Sequence, residues 1–310
     1  MTSIDVQQLT KDYGSTRAVD RLTFRAEAGR VTGFLGPNGA GKSTTMRLIL
    51  GLDRPSGGTA TVDGQPYAAL DNPLRAVGSL LDAGAAHGSR TARDHVLALA
   101  VSNGISRRRV DTVLEEAGLA SVATRRIKTF SLGMRQRLGI AAALLGDPAA
   151  VMLDEPSNGL DPEGIIWIRE LIKRLAREGR AVLVSSHLMD ETAAFADHLI
   201  ILGGGRLLVD MPTESFLASR SRPRVRLRAV EGGRLRDILI RSGYDATDAG
   251  DGVFWIKGAR TEEIGALAAS QHIALLELVE ERVTLEEAYL ALTAETAEFA
   301  AALPTSSKEA

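Results

Sequence analysis

The sequence predicts an α/β domain interrupted by a helical subdomain and followed by a small α+β domain. Over the first two thirds of the chain, short apolar, β-rich runs alternate with longer helical patterns, as in a parallel sheet covered by helices. Between Asp94 and Thr129 the strand signals vanish and helical ones dominate, which marks a helical insertion at about residues 92–130. After Met211 and Pro212 the pattern changes again, and a second domain begins.

Composition agrees with this division. A chain of 310 residues suggests one large domain and a smaller one, expected here at 1–216 and 217–294, with a flexible Ala/Glu/Ser/Pro tail at 295–310. Hydrophobic residues make up 45% and charged residues 25%, enough apolar material for a core. A formal net charge of -2 supplies no basic field, so nucleic acid is not an expected partner. The absence of cysteine excludes a disulfide framework and thiolate chemistry, and fits a reducing compartment. Met1 to Leu9 lacks the basic-then-apolar order of a secretory signal. Apolar runs such as Ala141 to Leu145 and Ala149 to Leu153 fall far short of the ~20 residues that cross a bilayer.

Taken in order, Val31 to Leu35, Ala150 to Leu153 and Ala181 to Ser185 read as buried parallel strands, being short, apolar and uncharged. Lys42 to Leu50 reads as a helix. Gly164 to Arg177 places Ile165, Ile168, Leu171, Ile172 and Leu175 on one helical face, with Gly179 as its C-terminal cap. In the second domain, Arg222 to Arg228 alternates Arg with Pro, Val and Leu, a strand with one charged face. A helix (Arg234 to Ser242), strand (Val253 to Lys257), helix (Thr261 to Gln271), strand (Ile273 to Val279) and last helix (Leu285 to Leu292) are expected to follow. The arginine row from Arg220 to Arg228 could face lipid headgroups, another subunit or water. Trp167 and Trp255 occupy apolar positions and read as packing residues.

Gly36-Pro37-Asn38-Gly39-Ala40-Gly41-Lys42-Ser43 fits the phosphate-loop pattern G-x-x-x-x-G-K-[ST], and it lies between an expected strand and an expected helix. Glycines let the backbone turn its N–H groups inward on phosphate oxygens, and the helix directs its positive end at them. Lys42 would reach the β and γ phosphates, Ser43 would give its hydroxyl to Mg²⁺, and Thr44 would add a phosphate hydrogen bond. Ala150-Val151-Met152-Leu153-Asp154-Glu155 is an apolar strand ending in two carboxylates that alternation sends to different sides. Asp154 would hold Mg²⁺ and Glu155 would orient the attacking water. Taken alone, this run also fits an ordinary strand end followed by an acidic turn.

The run Phe130-Ser131-Leu132-Gly133-Met134-Arg135-Gln136-Arg137, ahead of a helix and of Asp154, completes a pattern that resembles the ABC ATPase family over roughly residues 3 to 215. The resemblance implies a phosphate-loop ABC ATPase domain whose substrate and cofactor are ATP and Mg²⁺. It makes Glu155, His187 and Lys42 catalytic, with His187 contacting the γ phosphate. It places Tyr13 on adenine, Gly36 to Thr44 on the phosphates, and Ser131 and Gly133 on the γ phosphate of ATP bound to the opposite subunit. Asn158-Gly159-Leu160-Asp161 matches the family's D-loop, which puts Asp161 at the dimer contact near nucleotide. The family's usual signature is Leu-Ser-Gly-Gly-Gln; Leu132 and Met134 depart from it in the manner of bacterial drug-export and bacitracin-type subunits.

Asp82 stands where most relatives carry a glutamine that ligates Mg²⁺ and couples to the membrane subunit; a carboxylate can also ligate this cation. Ala83 to Ala92 is then either the permease-docking segment or a surface loop. His87, His95, His198 and His272 have no such match and read as structural or surface residues. The implied partners are a second copy, arranged head to tail around two ATP molecules, and an integral membrane permease, with this chain peripheral at the cytoplasmic face. The expected function is ATP hydrolysis that drives export of a drug-like or other small lipophilic compound. The second domain would assist assembly, as in drug-export relatives. Import, DNA repair or translation, and purely regulatory nucleotide binding are the alternatives; the chain lacks the long heptads and basic tracts of the nucleic-acid branch.

Overall fold

The computed structural model describes residues 2–220, 224–281, 284–289 and 292. The expected tail at 295–310 lies outside the described residues, as do Arg222 of the expected arginine strand and Leu290 and Ala291 of the expected last helix. The chain divides into two units, Met1–Thr213 and Glu214–Ala310.

In the first unit, β1 (Ile4–Tyr13) and β2 (Thr16–Ala26) pair as an antiparallel hairpin. β3 (Val31–Leu35) and α1 (Lys42–Ile49) follow, and β4 (Gly57–Val62) returns to β1, giving a sheet in the order β2-β1-β4. After α2 (Pro73–Ala76), β5 (Val77–Leu80) opens a second sheet. Three helices then intervene, α3 (Ala92–Ser102), α4 (Arg107–Glu116) and α5 (Leu132–Ala143). β6 (Ala150–Asp154), α6 (Pro162–Arg177), β7 (Ala181–Ser186), α7 (Met189–Ala193), β8 (His198–Gly203) and β9 (Arg206–Pro212) complete the unit. The second sheet runs β5-β6-β7-β3-β8-β9, parallel except for the β8–β9 hairpin.

Alternation along the central strands divides the core in two. Ala150, Met152, Ala181 and Leu183 face the antiparallel sheet and α1, packing with Ile4, Leu22, Met46 and Ile49. Val151, Leu153, Val182 and Val184 face the opposite side, with Ile168, Leu171 and Leu175 of α6 and Val96, Val113 and Leu138 of the helical insertion. Each fully buried aliphatic side chain contributes roughly 1.5–3 kcal/mol. α6 starts at Pro162 behind an Asp161 cap, whose carboxylate accepts from the Gly164 amide at 2.9 Å, and ends ahead of Gly179 at φ +90°.

The second unit begins with α8 (Thr213–Arg220), most of which lies in it, and continues β10 (Arg224–Ala229), α9 (Gly232–Arg241), β11 (Asp245–Gly250), β12 (Val253–Lys257), α10 (Thr261–Ser270) and β13 (Leu275–Glu281). Residues 285–289 are helical. The antiparallel sheet has the order β11-β12-β10-β13, and Val225, Leu227 and Ile256 pack on Leu235, Leu239 and Ile264 of the two helices. On the other face Arg224 pairs with Glu287 at 2.8 Å and stacks over Trp255 at 4.4 Å, while Arg226 pairs with Glu277 at 3.2 Å. Two of the arginines read from sequence are thus spent on partners inside their own unit.

Gly78 of β5 lies so close to the end of α5 that a methyl built on it would run into the carbonyl of Ala143. Gly78→Ala is expected to cost about 3 kcal/mol by overpacking against backbone. Thermal unfolding should record a Tm lower by roughly 6–12 °C; an unchanged Tm would contradict this packing.

Candidate functional site

The phosphate-loop residues form a cradle by backbone necessity. Gly41 has φ +100°, and a Cβ on it would lie 2.6 Å from the Ala18 carbonyl oxygen, so only glycine fits the turn into α1. A cavity of about 270 Å³ is lined by Ala18, Pro37 to Thr44 and Glu155. Ser43 is exposed toward solvent. Lys42 is 6% exposed, and its Nζ donates to the carbonyls of Gly36 at 2.6 Å and Pro37 at 3.3 Å. Burial pushes the Lys42 ammonium below its usual range, opposed by the Glu155 and Asp154 carboxylates.

The carboxylates come from the end of β6, and the neighbouring strand sets them. Asp154 pairs in register with Ser185 of β7, whose hydroxyl donates to Asp154 Oδ1. The Glu155 amide donates to Ser185 Oγ at 3.0 Å and to the Ser185 carbonyl at 3.2 Å. Glu155 has φ +49°, a left-handed conformation that costs a residue with a side chain roughly 1–2 kcal/mol. That turn sends its carboxylate toward the loop, with Oε2 2.8 Å from His187 Nδ1 and Oε1 3.9 Å from Lys42 Nζ. A carboxylate only accepts, so His187 donates from Nδ1 and its Nε2 faces away from Glu155. Lys42, Glu155 and His187 are brought together.

The oxygen donors Ser43 and Asp154 suit a hard cation such as Mg²⁺, which commonly takes one or two protein ligands and completes its shell with phosphate oxygens and water. Among the described residues no group of three or more His, Cys, Asp or Glu could hold a metal by itself. Asp82 does not line the cavity: it is exposed, and its Oδ1 accepts from the Gly84 amide at 2.6 Å in a local turn.

Tyr13 ends β1 beside α1. Its hydroxyl donates to Asp53 at 3.0 Å and meets Thr44, and 48% of the residue is exposed. Desolvation and then the Asp53 carboxylate raise its phenol pKa. Ser131 caps α5 by accepting from the Met134 amide at 3.2 Å, and it is exposed, as is Leu132. Neither Ser131 nor Gly133 lines the cavity of its own chain. Gly133 packs on the Gly159 carbonyl, and Asp161 serves as the cap of α6. Two residues were not singled out by sequence: Ser185, and Gln136, which is 4% exposed and donates to the Glu155 carbonyl at 3.1 Å. A pair of serines ending an otherwise apolar strand, Ser185-Ser186, was the available signal for the first.

A sheet of this order with a phosphate loop ahead of α1 and two consecutive carboxylates at the end of β6 defines a phosphate-loop nucleotide-binding protein. The ABC transporter family profile matches residues 19–158, and a profile described as a domain of unknown function matches residues 223–286. The chain is 38% identical over 250 residues to the bacitracin transport ATP-binding protein of Bacillus licheniformis, covering 80% of this chain and 81% of that one. It is 34% identical over 207 residues to a lantibiotic transport ATP-binding protein of Streptococcus pyogenes, covering 67% and 90%. A solved dimeric ATP-binding cassette in a post-hydrolysis state, bound to ADP and Pi, superposes with a TM-score of 0.62 at 25% identity, covering 68% of this chain and 98% of that one. The chain belongs to the ABC transporter family, as one of its ATP-binding proteins, and is an ATPase.

Ser185→Ala removes one hydroxyl from both carboxylate-bearing residues. It is expected to cost about 1–2 kcal/mol in denaturant unfolding and to lower ATP turnover about tenfold through misplacement of Glu155. Turnover equal to wild type would contradict the positioning role of β7.

Proposed function

We propose that the chain is the ATP-hydrolysing subunit of an exporter, seated at the cytoplasmic face on a separate membrane permease and working as a head-to-tail dimer. The observation that carries this reading is the Glu155 carboxylate, held at the mouth of the phosphate loop by His187 at 2.8 Å and facing buried Lys42 at 3.9 Å. In the proposed reaction Glu155 accepts the proton of the attacking water, while His187 fixes the carboxylate rotamer through Nδ1 and, with its ring doubly protonated, donates from Nε2 to the γ phosphate. Lys42 exchanges its two loop carbonyls for the β and γ phosphates, whose charge exceeds that of the carbonyl dipoles. Mg²⁺ held by Ser43 and Asp154 would neutralise developing phosphate charge. Tyr13, whose hydroxyl meets Thr44, would stack on the base.

The dimer is supported by the signature segment. Ser131 at the N-terminus of α5 is exposed and absent from its own chain's cavity, so it would meet nucleotide held by another chain. Solved relatives are themselves described as dimeric. Among the described residues no helix is long and apolar enough to cross a membrane; the permease partner is proposed from the family, whose relatives are named as ATP-binding proteins of transport. Export follows from relatives named for bacitracin transport, lantibiotic transport and Nod factor export. The cargo class, a drug-like or lipophilic small compound, rests on the same names.

Glu155→Gln should keep ATP binding, lose turnover about 10²-fold or more, and accumulate an ATP-dependent dimer visible by size-exclusion chromatography. Full ATPase activity in that variant would sink the assignment. Lys42→Ala should instead weaken ATP binding itself about tenfold or more, the scale of one charged hydrogen bond; titration with a fluorescent ATP analogue reads this directly, and unchanged affinity would count against the loop.

A further inference from the structure

Gln136 is a buried polar side chain on α5, five residues beyond its Ser131 cap. Its amide Nε2 donates to the main-chain oxygen of Glu155 at 3.1 Å. The same oxygen accepts from the Asn158 amide at 3.2 Å, and the Glu155 amide is held from the other side by Ser185. Glu155 is therefore gripped at both of its backbone polar groups, and it needs this because its φ of +49° is unfavourable for a residue with a side chain. Of these restraints, only Gln136 reaches Glu155 from the helix that carries the signature residues.

Contacts at the tip of α5 point the same way. A Cβ on Gly133 would lie 2.8 Å from the Gly159 carbonyl oxygen, and the Leu132 side chain packs directly on Gly159. The start of α5 and the segment from Glu155 to Asp161 thus touch at two places, through Gly133 and Leu132 at the tip and through Gln136 one turn further on.

We infer that Gln136 is a positioning residue that couples the two nucleotide sites of the dimer: it transmits the seating of α5 on the partner's nucleotide to the backbone conformation, and hence the carboxylate aim, of Glu155 in its own site. The inference rests on the head-to-tail ATPase reading above. With α5 seated, the amide holds the Glu155 carbonyl and the carboxylate meets His187. When the tip of α5 shifts, the amide moves with it, the left-handed turn loses one restraint, and the carboxylate leaves its position. Each site is then set for hydrolysis by nucleotide held at the other, and the rate rises cooperatively with ATP.

The test uses the whole 310-residue chain. Gln136→Met keeps the size and removes the amide, whereas Gln136→His keeps a ring nitrogen donor at similar reach. The Met variant is expected to lose about tenfold or more in maximal turnover, to keep KM for ATP within about twofold, and to keep Tm within about 3 °C. Its dependence of rate on ATP changes from sigmoidal to hyperbolic, and the His variant restores the sigmoidal curve and most of the turnover. Gln136→Glu, with an acceptor in place of the donor, serves the same comparison should the Met variant not fold. Wild-type turnover without the amide, equal loss with Met and His, or a hyperbolic wild-type curve would each overturn the inference. Failure of the underlying reading shows differently: the wild-type chain would hydrolyse no ATP, and Glu155→Gln would form no ATP-dependent dimer.

Discussion

The pairing of β6 with β7 sets the geometry on which the rest of the site depends. Asp154 opposite Ser185 places one hydroxyl between two consecutive carboxylate residues, so that a single serine binds the side chain of the first and the amide of the second. Both strands are buried over their whole apolar length, which fixes the register, since a slip by one residue would turn Met152 and Leu183 away from one core and into the other. Core packing and carboxylate placement are therefore one constraint seen from two ends of the same strands.

Charge balance at the cavity follows from that placement. Lys42 is nearly buried and would be destabilised as a cation without opposite charge nearby; Glu155 and Asp154 supply it, with two loop carbonyls accepting from the ammonium. The left-handed turn at Glu155 stores a small conformational cost, offset by the hydrogen bonds its amide donates to Ser185 and its carbonyl accepts from Gln136 and Asn158. Strain of this kind at a reacting carboxylate leaves its aim sensitive to the elements that hold it.

Much of the site was legible because its chemistry is local in sequence. The phosphate loop and the Asp154-Glu155 strand end declare themselves by spacing, and β3 and β12 occupy the spans that their residues suggest. What escaped needed strand adjacency: nothing in sequence places Gln136 or Ser185 beside Glu155. The first hairpin was also missed as strands, because bulges near Leu9 and Lys11 break the two-residue alternation of β1. β11, Asp-Ala-Thr-Asp-Ala-Gly, offers only Ala246 to the core, although the Asp251-Gly252 turn with both residues at positive φ was a hairpin signal. β13 begins two residues later than its apolar run suggests, since Ile273 is buried in the connection that precedes it. Asp82, expected as a metal ligand from its position in the family pattern, is exposed and accepts from the Gly84 amide in a local turn.

A composite site, built from two chains, is the central claim. Its most direct test is an experimental structure of the Glu155→Gln chain with ATP and magnesium. Two chains are expected around two nucleotides, each nucleotide touched by Gly36 to Thr44 of one chain and by Ser131 and Gly133 of the other. A nucleotide enclosed by one chain alone, with Ser131 of every copy left in solvent, would contradict it.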